Sequence, residues 1–373
     1  MENNPRLVDR KIARISSVAF FLVAQLRCQL EYLGRIGMHV VAISGDGDEL
    51  SRLKIGKNLT HHVVNFGRML DPLKDIAAIA KLWVFFRREG FDITHSTTPK
   101  AGLITAVAAF FAGVPVRLHT FTGQPWMNLR GPIRWFARLS DRIIGLLSTH
   151  CYADSRTQCA FLIAEGLIHP AKISIIGQGS LAGVDLERFD PHKWSPEEKR
   201  AIRSEIGVTP TVCVFIFIGR IARDKGVAEL LDAFEKLIGA GYDADLLLVG
   251  PLDEECGGAG FLSAEELRAH RRLHYVGYSA VPERYLAISD VLCLPSYREG
   301  FGTVVIEAAA MGLPTIGTRI NGLVDAVVDG TTGLLVKVKD AAAFFEACAG
   351  LLDHPERLTA MGRAARERCI REF

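Results

Sequence analysis

The stretch VLCLPSYREGFGTVVIEA, residues 291–308, decides how this chain is read. Val291–Leu294 is a short apolar run closed by Pro295, and it reads as a buried strand. The turn Gly300-Phe301-Gly302 follows, and the apolar residues from Thr303 to Met311 recur at helical spacing. A strand that passes into a helix through a glycine-rich turn is one unit of a parallel α/β sheet. Such a turn lets backbone N–H groups and the positive end of the helix face a phosphate. Gly300 and Gly302 remove side chains that would block the approach. Glu299 lies at the mouth of the turn and Glu307, eight positions on, about one turn inside the helix. Two carboxylates so placed meet different parts of one ligand, and a carboxylate suits a pair of vicinal hydroxyls because it accepts two hydrogen bonds. The ordinary alternative is a capping turn with a solvated glutamate.

The same alternation extends in both directions. Toward the carboxyl end, strands Thr315–Gly317 and Gly333–Val336 precede helices Ala341–Leu352 and Pro355–Cys369. Upstream, helix Pro196–Ile206, strand Val212–Ile218, helix Val227–Gly239, strand Asp245–Val249, helix Ser263–His270, strand Leu273–Val276 and helix Val281–Ile288 are expected. Gly177 through Lys193 interrupts the pattern and reads as a linker. Before it, strands at 12–17, 38–44, 62–64, 92–96, 116–120, 150–153 and 173–176 are separated by helices at 22–36, 72–89, 100–111, 131–147 and 156–165. The expected fold is α/β, with two Rossmann-like doubly wound domains, residues 1–185 and 186–373, whose strand ends face a common cleft.

A length of 373 residues suits two domains, and 49% apolar with 23% charged residues excludes a disordered, collagen-like or coiled-coil chain. Mean hydropathy is +0.19, on the apolar side for a soluble enzyme. The longest uncharged stretch near spanning length, Ala101 to Val116, is 16 residues and contains Gly113-Val114-Pro115, so it reads as a buried helix running into a strand. No apolar run ending in a small-residue cleavage site follows Met1, so no signal peptide is expected. The eight cysteines are scattered, without a CxxC pair, and read as reduced thiols in a cytoplasmic protein with no metal bound through them. Charge is divided: residues 1–180 carry 22 Lys and Arg against 13 Asp and Glu, and residues 181–373 carry 22 against 29. A basic half suits an anionic membrane surface, a phosphate-bearing acceptor or nucleic acid. No nucleic-acid recognition motif is present, so nucleic acid is not an expected partner.

A second informative loop, Gly219-Arg220-Ile221-Ala222-Arg223-Asp224-Lys225-Gly226, joins the first strand of the second half to its helix. Arg220 and Lys225, five apart, suit a diphosphate and the charge that develops as it leaves. There is no GxxxxGK[ST] phosphate loop, and no GxGxxG follows the first strand, which disfavours a nicotinamide cofactor.

Together these motifs resemble the retaining glycosyltransferases of family 4, which share the GT-B fold. Glu299 and Glu307 match the family's E-x7-E signature, and Gly219, Arg220, Lys225 and Gly226 its basic loop. Gly312-Leu313-Pro314-Thr315, Asn321-Gly322 and Asp329-Gly330-Thr331-Thr332-Gly333 fit its carboxyl-terminal pattern. The resemblance implies that Glu307 binds the ribose hydroxyls of a nucleotide-sugar and Glu299 contacts the donor sugar. It implies that Arg220 and Lys225 hold the diphosphate with backbone groups around Gly300, Phe301, Gly302 and Thr303. Gly250 and Val276, at strand ends, would lie near the base and ribose. His119 matches a family histidine near the donor sugar's 6-position; the ordinary reading is a satisfied core imidazole. Lys100 would meet a phosphate on the acceptor side, and Gly183-Val184-Asp185 resembles a family motif at the domain junction.

The implied function is transfer of a sugar, with retention, from a nucleoside diphosphate donor, expected to be a UDP-sugar. The acceptor would be a hydroxyl on a lipid-diphosphate-linked glycan for a bacterial surface polysaccharide. No cofactor and no metal are required by that mechanism. A UDP-sugar 2-epimerase of the same fold and a non-catalytic partner subunit are the alternatives. Two departures stand out. The first loop reads Ser16-Ser17-Val18-Ala19-Phe20-Phe21 where many members have Gly-Gly, and members usually continue beyond the position of Phe373 into a helix that crosses back to the first domain. Finally, Arg130, Arg134, Arg138 and Arg142 recur every four residues beside Trp126, Trp135 and Phe136. Residues 126–142 are therefore a candidate peripheral contact with the inner face of a membrane. The ordinary alternative is a solvated basic face with the aromatics in the core.

Overall fold

The computed structural model describes residues 7–53, 55–67, 71–252 and 270–373, together with Glu265 and Leu267. Contacts divide the chain into two units, Met1–Ile176 and Gly177–Phe373. The division falls at the head of the segment read as a linker, which moves the boundary ahead of the expected 185/186 position.

The first unit runs β1 (Lys11–Ile15), α1 (Ala19–Gln25), α2 (Arg27–Arg35), β2 (His39–Ser44), β3 (Leu59–Val63), α3 (Pro72–Glu89), β4 (Ile93–Thr97), α4 (Pro99–Ala112), β5 (Val116–Phe121), α5 (Gly131–Leu147), β6 (His150–Ala153), α6 (Arg156–Ala164) and β7 (Ile173–Ser174). Its sheet is parallel in the order β3-β2-β1-β4-β5-β6-β7. Helices α3, α4 and α5 lie side by side in one layer. Ala78, Leu82 and Phe86 of α3 and Ala101, Ile104 and Ala108 of α4 pack on Ala13, Ile15, Val41 and Ile43 of the sheet. Asp71 caps α3 by accepting from the Lys74 N–H, and Gly90 closes it in a left-handed conformation.

The second unit runs α7 (Pro196–Ile206), β8 (Cys213–Ile218), α8 (Val227–Gly239), β9 (Ala244–Val249), β10 (Leu273–Gly277), α9 (Pro282–Leu286), β11 (Val291–Leu294), α10 (Thr303–Ala310), β12 (Thr315–Thr318), α11 (Leu323–Ala326), β13 (Gly333–Val336), α12 (Ala341–Leu352) and α13 (Pro355–Glu372). Its sheet is also parallel, in the order β10-β9-β8-β11-β12-β13. Every residue of β9 and β11 is buried, as expected for strands covered on both faces. Helix α7 starts with a full capping box between Ser195 and Glu198, a device worth about 1 kcal/mol.

The strand order reverses direction between β8 and β11, so the connections from these two strands leave to opposite sides. In open α/β sheets ligands settle at that switch point, outside the carboxyl ends of the strands.

Three sequence expectations change. The single helix over 22–36 is two helices, broken at fully buried Leu26 with φ −114°. The short α11 was not anticipated, and the last helix continues to Glu372 within the second unit. The helix expected over Ser263–His270 lies almost wholly outside the described residues.

Candidate active site

The basic loop and the glycine turn meet at the switch point of the second unit. The loop leaves β8 and the turn leaves β11, neighbouring strands in the sheet. Glycine is what lets them touch. Gly226 has φ 69°, and a Cβ there would stand 2.1 Å from the Pro295 carbonyl oxygen. Gly250, after β9, has φ 149°, and a Cβ there would stand 1.8 Å from the Gly219 carbonyl oxygen. The Tyr297 N–H donates to the Asp224 carbonyl at 3.0 Å, the Gly219 N–H to Val249, and the Gly250 N–H to Gly277 at 2.8 Å. The loops after β8, β9, β10 and β11 thus form one stitched rim.

On that rim Lys225 Nζ stands 2.6 Å from Glu299 Oε1, and the Ser296 hydroxyl donates to the same oxygen at 2.7 Å. Both charged side chains are mostly covered, at 20% and 15% exposure. Arg220 is 3.6 Å from Asp224, which also takes Arg298 at 3.1 Å. Gly302, with φ 87°, is the N-cap of α10 and offers no side-chain cap to the helix start at Thr303. Gly300 and Phe301 are buried; the Phe301 ring packs edge-on to Phe373, 5.2 Å between centroids, so only its backbone faces the turn's open side. Val276 is half-buried against the core of this unit.

Glu307 is partly buried in α10. Burial pushes its carboxyl up to about 7, against the pull of Arg188 and with the like charge of Glu283 adding to the rise. Arg188 and Glu283 are themselves paired at 2.7 Å. Neither was singled out from sequence. The signal was next to a quoted motif: Asp185 accepts from the Arg188 backbone N–H at 3.0 Å, while the guanidinium is held by Glu283 and by the Ala280 carbonyl at 2.8 Å. Asp224, Arg298 and Ser296 were likewise missed as partners, because each holds a predicted residue in place and carries no spacing pattern of its own.

His119 does not lie at an open strand end. It is 1% exposed in β5 of the first unit, beneath α4 and α5; a Cβ on Gly102 would stand 2.4 Å from its ring. Its Nδ1 shares a 2.9 Å hydrogen bond with the Ser96 hydroxyl, and burial, aided by Arg14, holds the imidazole down at about 3. This corrects the expectation that the side chain faces ligand space: Thr120 and Phe121 continue the strand beyond it. Lys100 is paired with Asp75 of α3 at 2.8 Å. In the first loop Ser16 and Ala19 are buried and Phe20 is exposed.

Two family models cover these units. That of the glycosyl transferases group 1 matches residues 198–368, and that of the glycosyl transferase 4-like domain matches residues 23–179. The capsular polysaccharide biosynthesis glycosyltransferase CapM of Staphylococcus aureus is 30% identical over 355 residues, covering 93% of this chain and 89% of CapM. The chain is a glycosyltransferase of the GT4-like family. The UDP-Gal:alpha-D-GlcNAc-diphosphoundecaprenol alpha-1,3-galactosyltransferase of Escherichia coli is 27% identical over 313 residues, 82% of this transferase and 78% of that one. Among solved structures, Anabaena HepE in complex with UDP-glucose superposes with TM-score 0.77 at 17% identity, covering 97% of this chain and 95% of HepE. Sucrose-phosphate synthase from Thermosynechococcus elongatus gives 0.79 at 21% identity, covering 98% and 95%. At those identities the structures establish the fold of the transferase, GT-B, and nothing finer.

Proposed function

We propose that this glycosyltransferase moves a sugar from a UDP-sugar to a hydroxyl of a lipid-diphosphate-linked glycan, with retention at the anomeric carbon. The observation that carries the reading is the Lys225–Glu299 pair beside the uncapped start of α10, at the β8/β11 switch point. A diphosphate laid on that helix start meets the Thr303 end of the helix dipole and exchanges into the reach of Lys225 and Arg220. Glu299, released from Lys225, is then free to accept hydrogen bonds from donor-sugar hydroxyls. Glu307, one turn further in, accepts from the ribose. Gly250 and Val276 border the space for nucleoside.

The step we favour is a front-face substitution. The bond from the anomeric carbon to the β-phosphate oxygen breaks, and the acceptor oxygen bonds to that carbon on the same face. The acceptor proton passes to a phosphate oxygen of the departing UDP. Lys225, Arg220 and the helix start stabilise the charge that gathers on the leaving group. No metal or cofactor enters this scheme. The donor and acceptor assignments are supported by the Escherichia coli relative, whose name gives a UDP-Gal donor, an alpha-1,3 linkage and a diphosphoundecaprenol-linked acceptor. Such an acceptor would be met at the cytoplasmic face of a membrane.

Product analysis tests the reading. With an α-linked UDP-sugar, a lipid-diphosphate-linked acceptor and EDTA present, proton NMR should show a new α-glycoside and stoichiometric UDP. A β-glycoside would exclude retention, and loss of turnover in EDTA would bring in a metal. An epimerised UDP-sugar formed from donor alone would favour the 2-epimerase reading instead.

A further inference from the structure

Lys225 and Arg220 are held on the rim in different ways. Lys225 is a point charge, and it stands on Glu299 at 2.6 Å. A phosphate takes it only by drawing it off that carboxylate. Arg220 ends in a planar guanidinium with five N–H donors, so one edge can stay on a carboxylate while another meets a phosphate. Its carboxylate is Asp224, with Nη2 3.6 Å from Oδ2. That contact is weak by itself, because the Arg220 side chain is 42% exposed and the two residues are only four apart on a surface loop. A half-exposed arginine otherwise keeps much of its rotamer freedom. The geometry of Arg220 therefore depends on what holds Asp224.

Asp224 is gripped from the opposite loop. It lies in a tight turn, Arg223–Lys225, between β8 and α8. Arg298, from the loop after β11, places Nη2 3.1 Å from the same Oδ2 that Arg220 approaches. Both members of this pair are mostly covered, at 27% and 25% exposure. The preceding residue fixes the backbone: the Tyr297 N–H donates to the Asp224 carbonyl at 3.0 Å. Tyr297 is anchored in turn, its hydroxyl donating to Glu229 Oε1 of α8 at 2.6 Å and its ring lying under Lys339 Nζ at 4.8 Å. Consecutive residues 297 and 298 thus hold residue 224 by main chain and by side chain, and one carboxylate oxygen is shared by arginines from two loops.

We propose that Arg298 is a positioning residue for the donor diphosphate: acting through Asp224, it fixes the Arg220 guanidinium on the rim and does not itself touch the ligand. Without Arg298, Asp224 keeps only its long contact to Arg220, and both side chains can swing toward solvent or toward Lys225, the next residue in the chain. The Arg298–Asp224 pair also spans the β8 and β11 loops by a contact that the donor has no need to open, unlike Lys225–Glu299. The proposal deepens the donor reading and rests on Arg220 being a diphosphate ligand; it is independent of the acceptor and of the stereochemistry.

Calorimetric titration of the full chain with UDP tests it. Arg220→Ala should weaken UDP binding about 30-fold, the scale of a lost charge-assisted contact. Arg298→Ala should weaken it about 10-fold. Arg298→Lys should bind within about 3-fold of wild type, because the contact to replace is one N–H on one oxygen. In the Arg220→Ala background, Arg298→Ala should change the affinity by less than about 2-fold, since Asp224 then has no guanidinium to place. Asp224→Asn, which keeps the size of the side chain, should match Arg298→Ala and likewise lose its effect without Arg220. Arg298→Ala that binds UDP as wild type does would overturn the proposal. So would an Arg298→Ala loss of equal factor in both backgrounds, which would make Arg298 a direct ligand or a support of the fold, and so would a lysine no better than alanine. A wild-type chain that does not bind UDP, or Arg220→Ala that binds it undiminished, would instead remove the donor reading and the proposal with it.

Discussion

Lys225→Ala should lower kcat by about 10²–10³-fold. The side chain sits on the rim between two loops, mostly covered, with its charge against Glu299 at 2.6 Å. Its removal withdraws one cation from the leaving diphosphate and also takes from the Glu299 carboxylate its charged partner, leaving the Ser296 hydroxyl bond in place. That carboxylate then repels the incoming donor. The loss should therefore divide between steps. Adding Glu299→Gln to Lys225→Ala should recover donor KM, because the repulsion goes, but not kcat, because the cation is still missing. Residues in direct contact couple in this way, and the two single changes should not add. Steady-state kinetics of the two single variants and the double variant measure it. Lys225→Ala turnover within about 3-fold of wild type would be incompatible with a leaving-group role.

Donor affinity should weaken as pH falls through the titration of Glu307. In the free protein burial lifts this carboxyl to about 7. Hydrogen bonds donated by ribose hydroxyls favour the ionised form, so binding must first remove the proton that the group carries at lower pH. Between pH 8 and pH 6 the affinity for a UDP-sugar should fall about 10-fold, as one proton is taken up by the free site. A UDP-sugar is the right probe because its diphosphate, esterified at both ends, does not titrate in this range. Glu307→Gln should flatten the profile. The stability sign is the reverse. The folded carboxyl holds its proton more tightly than the unfolded one, so its contribution is full below the unfolded value near 4.3 and is lost as pH rises through about 7. Glu307→Gln should thus raise Tm at pH 8 and leave it nearly unchanged at pH 4. Calorimetric titration and thermal unfolding at the two pH values check both halves; a flat wild-type binding profile would remove Glu307 from the nucleotide site.

The parts of this molecule that were legible in sequence are those where backbone and side chain say the same thing. Strand Val291–Leu294, the Gly300–Gly302 turn and the Thr303 helix are fixed by a buried apolar run, by glycines and by helical spacing, and each is where it was expected. The loops that carry Lys225 and Glu299 were both singled out, but their pairing at 2.6 Å was not, because no spacing within either loop shows that β8 and β11 lie side by side. The break at Leu26 was not legible, because neither glycine nor proline marks it and tertiary burial of that leucine decides it. The arginine stripe of α5 misled for a geometric reason. A spacing of four advances slightly more than one helical turn, so the stripe winds about 40° per step and carries Arg134 and Arg138 over Trp126 while Arg142 ends in solvent. His119 shows the same limit: a residue type and a strand were readable, but whether its ring faces ligand or helix layer depends on Gly102 leaving room for it.

A crystal structure of the protein with an unhydrolysed UDP-sugar, or with UDP, tests the central claim most directly. The diphosphate is expected against the Thr303 start of α10, with Lys225 drawn from Glu299 to a phosphate oxygen and the ribose on Glu307. Nucleotide bound elsewhere, or bound with the Lys225–Glu299 pair intact and no phosphate at the helix start, would contradict it.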